Sequence, residues 1–346
     1  MPIVTLAKRY RERSMSENAV DPRSTPEKPI PGVSVILPIL NEERFLRDAI
    51  LAILAQHYDG PLEAILALGP SQDQTNEIAA ALATSDPRVV LVSNPSGRTA
   101  AGLNAAIGVS KYSIICRIDG HAEISPTYIS NAVGALELTH AVNVGGIMAA
   151  SGIGKFERAV ASAMRSPLGV GVARFHTGGK AGPADTVYLG TFRKEALLAV
   201  GGYDERFTRA QDWELNFRLR QAGGIIWFDP ELVVTYRPRP NVRALAKQYF
   251  EYGRWRRAVS RNHKGTINLR YLAPPVTLLV VLLSLILGVT VNSFLFFPAV
   301  GYLIGNLIGS FVIGKDVSEK LRLPVILATM HFSWGTGFIT SPKDLI

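Results

Sequence analysis

Cysteine is nearly absent from this chain. Cys116 is the only one in 346 residues, so no intrachain disulfide can form. That composition fits a reducing compartment. The N-terminal stretch lacks a long apolar run; it is polar, charged and Pro-containing to about Pro31. It reads as a disordered leader (1–31) and not as a secretory signal. Acids are scarce further along: between Arg243 and Arg270 eight Lys/Arg are accompanied by a single carboxylate, Glu251. Immediately afterwards charge of either sign disappears. Leu272–Val291 carries none and is long enough to cross a hydrocarbon core.

What is present divides in two. Up to about residue 271 the chain reads as a soluble α/β protein, and from Leu272 it is mostly apolar. The formal net charge is +9. Such an excess suits nucleic acid or a membrane surface. The basic cluster lies directly before the apolar region, which favours the membrane and argues against nucleic acid. Asn292 and Ser293 break the apolar run, and a second span is expected over 294–313. A third apolar segment, 323–339, contains His331 and Trp334. It reads equally as a tilted span, a re-entrant hairpin or an interfacial helix. The segment 241–270 reads as a basic amphipathic helix lying on the inner leaflet, aromatic side down.

The first half alternates regularly. "VSVILPIL" is a strand buried on both faces, and "EAILALG", "RVVLVSN" and "YSIICRID" are three more. Between them run helices with apolar residues at helical spacing, such as Phe45, Leu46, Ala49, Ile50 and Ile53. Asn41 is placed to cap the first of these, and Ser71 with Gln74 matches a capping box for the second. This βαβαβαβ order predicts an α/β fold with a parallel sheet and helices on both faces. Ligands of such sheets sit outside the carboxyl ends of the strands. At that edge the fourth strand ends in "IDGHAE": an acid, an imidazole and another acid.

These segments carry a resemblance. "PILNEERFLRDAILAILAQ", the strand end Arg117-x-Asp119-x-His121, and "QDWELNFRLRQAGG" followed by a basic aromatic segment resemble the inverting glycosyltransferases of family 2. The nearest subgroup is the membrane-anchored, succinoglycan-biosynthesis-like one. The resemblance spans about 31–264. It implies a GT-A fold, a Rossmann-like and mostly parallel catalytic domain (32–240) followed by C-terminal transmembrane helices (271–346). It further implies a nucleotide-sugar donor, a divalent metal (Mn²⁺ or Mg²⁺), a lipid-linked glycan or polyprenyl acceptor, and a multi-pass inner-membrane protein with its catalytic domain in the cytoplasm. Alternatives are a polyprenyl-phosphate sugar synthase, or an inactive membrane scaffold of the same fold.

The same resemblance assigns residues. The family's Asp-x-Asp metal motif stands here as Asp119-Gly120-His121, so Asp119 and His121 are the implied metal ligands, with Glu123 as a helper; His121 reads alternatively as a strand-end hydrogen-bonding residue. Pro38 and Glu42 match the first nucleotide-binding segment. Acids that usually read the nucleobase are replaced by Leu68 and Gly69. Asp73 either faces the site or caps its helix. Arg98 and Asn104 are implied to face the nucleotide, and Gly190 and Thr191 to approach the acceptor. Asp212, in a Gln211-Asp212 pair, is the implied general base, because inverting transfer needs one carboxylate to take the acceptor's proton. "EYGRWRR" matches a motif in which Arg254 neutralises the leaving diphosphate. Trp255 would stack on a sugar or rest in the interface.

Overall fold

The structure, a computed structural model, describes residues 29–346. The expected leader lies outside the described residues except at its last three positions. The chain divides into two compact units. The first comprises residues 29–148 and 178–234, the second 149–177 and 235–346.

The first unit is built on a nine-stranded sheet. Strands β1 (Val33–Ile39), β2 (Leu62–Leu68), β3 (Val89–Ser93) and β4 (Ile114–Arg117) pair in the order β3-β2-β1-β4. All three of these pairings are parallel. Three helices connect them: α1 (Leu46–Leu54), α2 (Thr75–Ser85) and α3 (Thr99–Val109). Beyond β4 the sheet changes character. The strands that follow are β5 (Glu123–Ile124), β6 (Asn143–Ala150), β7 (Gly182–Pro183), β8 (Tyr188–Arg193) and β9 (Ile226–Tyr236). β8 pairs antiparallel with both β4 and β6, and β7 antiparallel with β9. In β1 every residue but Pro38 is buried, as a strand covered by helices on both faces requires. Helix α1 buries Leu46, Ala49, Ile50 and Ile53, a stripe of the kind that stabilises by about 1.5–3 kcal/mol for each fully buried large aliphatic.

The turn after β1 differs from expectation. Helix α1 starts at Leu46, so Asn41 does not cap it. Asn41 instead takes a left-handed conformation (φ 57°), which its short polar side chain tolerates. Its N–H donates to Ser71 Oγ (3.1 Å) and its Oδ1 accepts from Gln72 N–H (2.8 Å). Ser71 is thereby drawn into a clasp between two strand-end loops, and the expected capping box is absent; α2 begins at Thr75.

The remaining helices of the first unit are α4 (Tyr128–Thr139), α8 (Lys194–Ala199) and α9 (Gln211–Gln221). The second unit contains α5 (Lys155–Met164), α6 (Pro167–Val170), α7 (Arg174–Thr177), α10 (Val242–Asn262), α11 (Leu269–Thr290), α12 (Phe297–Ile313) and α13 (Val317–Thr340). The third apolar segment is therefore one continuous helix, α13, and not a hairpin. α10 and α13 cross at close quarters: a Cβ on Gly253 would stand 2.0 Å from Trp334 O, and one on Gly337 2.0 Å from Phe250 O. This contact turns part of the aromatic face of α10 inward. Tyr249 and Trp255 are each 5% exposed, packed within the unit. Leu269–Thr290 and Ser293–Ile313 are long and apolar enough to cross a membrane, with mean hydropathy 2.5 and 1.7. Large apolar side chains on both point outward, among them Val289, Phe297 and Val312, a surface suited to lipid. Asn292 closes the turn between them by accepting the Phe294 N–H (2.9 Å).

Candidate active site

β1 to β4 run parallel, so their carboxyl ends share one edge, and the loops there carry the chemistry. Arg117 is the last residue of β4, and its side chain is 5% exposed. Its Nε and Nη2 both donate to Asp119 Oδ1 (3.2 and 3.1 Å). Its Nη1 donates to Asp212 Oδ1 at the start of α9. One guanidinium thus joins the strand-end acid to the helix acid, residues 93 positions apart in the chain.

The electrostatics follow from that arrangement. Burial by itself would lower Arg117; the two carboxylates outweigh it and hold the guanidinium well above its ordinary value. Burial lifts the Asp212 carboxyl above the usual carboxylate range, Arg117 opposes the rise and the Asp119 charge adds to it. The Asp212 side chain keeps 36% of its exposure, so solvent screens part of these effects. Tyr203 is buried beside the group. Burial pushes its phenol up, while the Arg117 charge pulls it down.

A second pair stands next to the first. His121 Nδ1 lies 2.8 Å from Glu42 Oε1. Gly120 makes room for it: a Cβ there would come within 3.1 Å of Glu42 Cγ and 2.9 Å of Ile39 Cδ1. A carboxylate at Nδ1 fixes the neutral ring in the tautomer whose lone pair is on Nε2, the form a metal ligand needs. Among the described residues no three of His, Cys, Asp and Glu converge on a common point. Asp119 and His121 are an oxygen and a nitrogen donor of types that suit Mn²⁺, and an ion held by two protein groups takes its remaining ligands from substrate phosphates and water.

Other expected residues are occupied elsewhere. Asp73 Oδ1 accepts from the Thr75 N–H (3.1 Å) and hydroxyl, and Oδ2 from the Glu43 N–H (3.3 Å). The Thr75 hydroxyl holds its carboxyl below the usual range. Asp73 is thus a knot in the loop clasp. Asn104 spends its amide on the loop before α9: Nδ2 donates to Tyr203 O (2.8 Å) and Glu205 Oε1 (2.9 Å), and Oδ1 accepts from Tyr203 N–H (2.8 Å). It brackets the segment that carries Tyr203 to Arg117, which occupies the amide that was expected to face the nucleotide. Arg98 precedes α3 and is exposed. Thr191 is fully buried and donates to Cys116 Sγ (3.3 Å); Gly190 faces Asn143 and Phe192 in the sheet. Those two fill the core, not an acceptor pocket. Pro38 sits in β1 opposite Ala67. Arg254 and Trp255 belong to the second unit, where Arg254 pairs with Glu251 (2.9 Å) and lies over Phe250, and Trp255 is buried.

Beside the site, at the carboxyl ends of β2 and β3, a shallow cleft of about 390 Å³ is lined by Leu68, Gly69, Pro70, Asn76, Ser93 and Pro95. Gly69 and Gly97 let its walls approach: a Cβ on Gly69 would lie 3.2 Å from Gly97 Cα. Asn76 gives its Nδ2 to Gly69 O (3.3 Å) while its Oδ1 has no partner. Sequence reasoning noticed the missing acids here and overlooked Asn76, the second residue of α2. It also gave no role to Arg117, although the residue stands in the quoted strand end; nothing local in the sequence points from it to Asp212.

The model of glycosyl transferase family 2 matches residues 34–201, covering β1 to β8 and the strand-end acids. The succinoglycan biosynthesis protein ExoA of Rhizobium meliloti (strain 1021) is 33% identical over 313 residues, 88% of this chain and 93% of that protein. The chain belongs to glycosyltransferase family 2. A dolichyl N-acetyl-α-D-glucosaminyl phosphate 3-β-D-2,3-diacetamido-2,3-dideoxy-β-D-glucuronosyltransferase of Methanococcus voltae is 23% identical over 88% of this chain and 95% of that one. Among solved structures, a mannosyltransferase of Pyrobaculum calidifontis in complex with GDP-Man and Mn²⁺ has the same fold, with TM-score 0.57 and 17% identity over 98% of this chain and 95% of that one. The protein is a transferase of GT-A fold with two candidate membrane spans.

Proposed function

We propose that this family 2 enzyme moves a sugar, with inversion, from a nucleoside diphosphate donor to a lipid-linked acceptor in polysaccharide or cell-envelope glycan assembly. The single observation that carries the reading is Arg117, which joins Asp119 and Asp212 at one point. An inverting displacement needs the leaving diphosphate and the proton acceptor on opposite sides of one anomeric carbon, and that joint provides two differently placed carboxylates.

In this reading Asp212 takes the proton of the acceptor hydroxyl. That oxygen attacks the anomeric carbon, the bond from carbon to the diphosphate oxygen breaks, and the nucleoside diphosphate departs with the bonding electrons. Arg117 keeps Asp212 in place and opposes the effect of burial, so that the carboxylate is present to accept the proton. Asp119 and His121 would hold a divalent metal, Glu42 orienting the imidazole. When bound, the metal supplies positive charge to the departing diphosphate. The base would rest in the cleft at β2 and β3, where Asn76 Oδ1 can accept an N–H. Relatives named for succinoglycan biosynthesis and for transfer to a dolichyl phosphate sugar support the polysaccharide and lipid-linked parts. Membrane placement is supported by the two apolar helices and by the basic residues before and after them, Arg270 and Lys315 among them. In this reading the catalytic unit faces the cytoplasm.

The test is Asp212→Asn. It should retain nucleotide and metal binding and lose turnover by about 10² or more; near-normal turnover would remove Asp212 as the base. Topology is tested separately. With Cys116 replaced, single cysteines at Ser260, Asn292 and Ser318 should react with an impermeant thiol reagent in intact cells only at position 292.

A further inference from the structure

Helix α13 does not run along the two candidate spans; it crosses them. Asn306 Nδ2 of α12 donates to Pro324 O (2.9 Å). Gly335 lies against α11, where an added Cβ would stand 2.8 Å from Pro274 O. From Pro324 to Gly335 a helix advances about 16 Å. Over that length the contact passes from α12, whose last residue is Ile313, to α11, whose first is Leu269. Asn306 and Pro274 lie about 10 and 8 Å inside those two ends. The two ends are on the same side, because Ser284 of α11 meets Leu295 O (2.6 Å) and the Ala299 N–H (3.1 Å) and the two helices double back on each other. That side is the basic one, with Arg270 and Lys315.

α10 crosses α13 at this level, with Phe250 O against Gly337. Beside the crossing the two helices enclose an open groove of about 430 Å³, lined by Ala246, Lys247, Phe250, Phe332, Ser333 and Thr336. Two phenyl rings and a methyl group make its walls apolar. Neither wall carries a carboxylate: the chain has no acid from Leu232 to Phe250 and none from Lys320 to Lys343. Lys247 is exposed at the groove, and Arg243, one turn earlier on α10, is exposed as well. Among the described residues neither makes an ion pair, and the Ser333 hydroxyl makes no hydrogen bond.

We propose that this groove holds an anionic phospholipid, with an acyl chain against Phe250 and Phe332 and the phosphate at Lys247, Arg243 and the Ser333 hydroxyl. Its depth favours a lipid, since basic side chains at the end of a span stand where headgroups lie. The apolar walls disfavour a free phosphate. The cations disfavour a diphosphate read by shape, because both are exposed and unanchored and attract charge without a fixed fork. The inference rests on the two spans crossing a membrane and not on the identity of the acceptor.

Native mass spectrometry of the full chain in detergent micelles tests it, with dioleoyl phosphatidylglycerol and dioleoyl phosphatidylcholine at equal concentrations. The two lipids share their chains, so the ratio of the bound forms reports the headgroup. Phosphatidylglycerol should be favoured about tenfold or more, and Lys247→Gln and Arg243→Gln should each reduce the ratio about fivefold. Lys343→Gln, a cation outside the groove, should leave it unaltered. Ala246→Leu, which narrows the groove, should lower occupancy by both lipids and keep their ratio. A ratio near one would overturn the site. So would an equal drop in Lys343→Gln, which makes the attraction diffuse, or unchanged occupancy in Ala246→Leu, which puts the chain elsewhere. Displacement of the lipid by glycerol 3-phosphate would make this a site for free phosphates, and displacement by farnesyl phosphate would assign the groove to an isoprenoid acceptor; either overturns the phospholipid. Alkaline carbonate extraction of native membranes reads the spans separately. Release of the chain defeats the spans and the site together, whereas retention with no headgroup preference defeats the site alone.

Discussion

Arg117 and Arg256 are equally buried, each about 5% exposed, yet they are satisfied in opposite ways. Arg117 has two carboxylates on its fork, and the first unit closes its own charge balance there. Arg256 shares a tyrosine with another arginine. A buried guanidinium that is paired positions protein groups, here an acid at a strand end and an acid at a helix start. Arg256 is held differently, by the Thr266 carbonyl on its edge and the Tyr271 ring on its face.

Stability is the most direct way to break this contrast. Arg117→Met leaves Asp119 and Asp212 facing each other without a cation. Loss of one partner of a buried pair costs about 3–5 kcal/mol, and the partial exposure of both acids places this case at or below the lower end. Arg256→Met loses a hydrogen bond to a backbone carbonyl and a ring contact but leaves no two acids facing each other, and should cost less than Arg117→Met. Denaturant titration of both variants decides it; equal losses would mean that the facing acids add nothing at this site. Next in size is the imidazole. His121→Ala should weaken Mn²⁺-dependent nucleotide binding, and Glu42→Gln should do so by about 10–100-fold if it orients the ring. Calorimetry in the presence and absence of Mn²⁺ reads both, and an unchanged metal dependence in His121→Ala would leave His121 as a strand-end hydrogen-bonding residue.

The smallest effect sharpens the comparison on the active side. Asp212 titrates above the ordinary carboxylate range, and only its deprotonated form accepts a proton. The acid limb of the turnover profile should therefore lie above the reference of about 3.9. Because Arg117 opposes that rise, Arg117→Lys, with a weaker single contact, should move the limb further upward. A limb that stays put would detach Arg117 from the base. For folding the sign is the reverse: a raised carboxyl contributes stability at pH below its unfolded value, and that contribution is lost as pH rises through the folded value.

Much of the first unit was legible because its elements are coded locally. Runs such as "VSVILPIL" bury a strand on both faces, and the 3.6-residue spacing of Leu46, Ala49, Ile50 and Ile53 buries one helix face. Asp119 and His121 could be singled out because they directly follow the fourth strand, at the carboxyl edge of the sheet. Asp73 takes the helix-capping place, accepting the N–H of Thr75 at the start of α2, but the further partners of Asp73 and Asn104 were not legible, because a local motif specifies a position and not what packs against it. Those partners are Glu43 across the clasp and Tyr203 far along the chain.

The second unit divides in the same way. Length and lack of charge determined that two segments can cross a membrane. Sequence also determined that the chain has a parallel α/β half and basic residues beside its apolar half. Tertiary structure alone decided that α10 turns Tyr249 and Trp255 inward, because Gly253 and Gly337 let two backbones meet. It alone decided that Arg117 reaches Asp212 and that Arg256 meets Arg270 over Tyr271. Periodicity and propensity act over a few residues, whereas the pairing of charges is decided by which chain segments packing brings together.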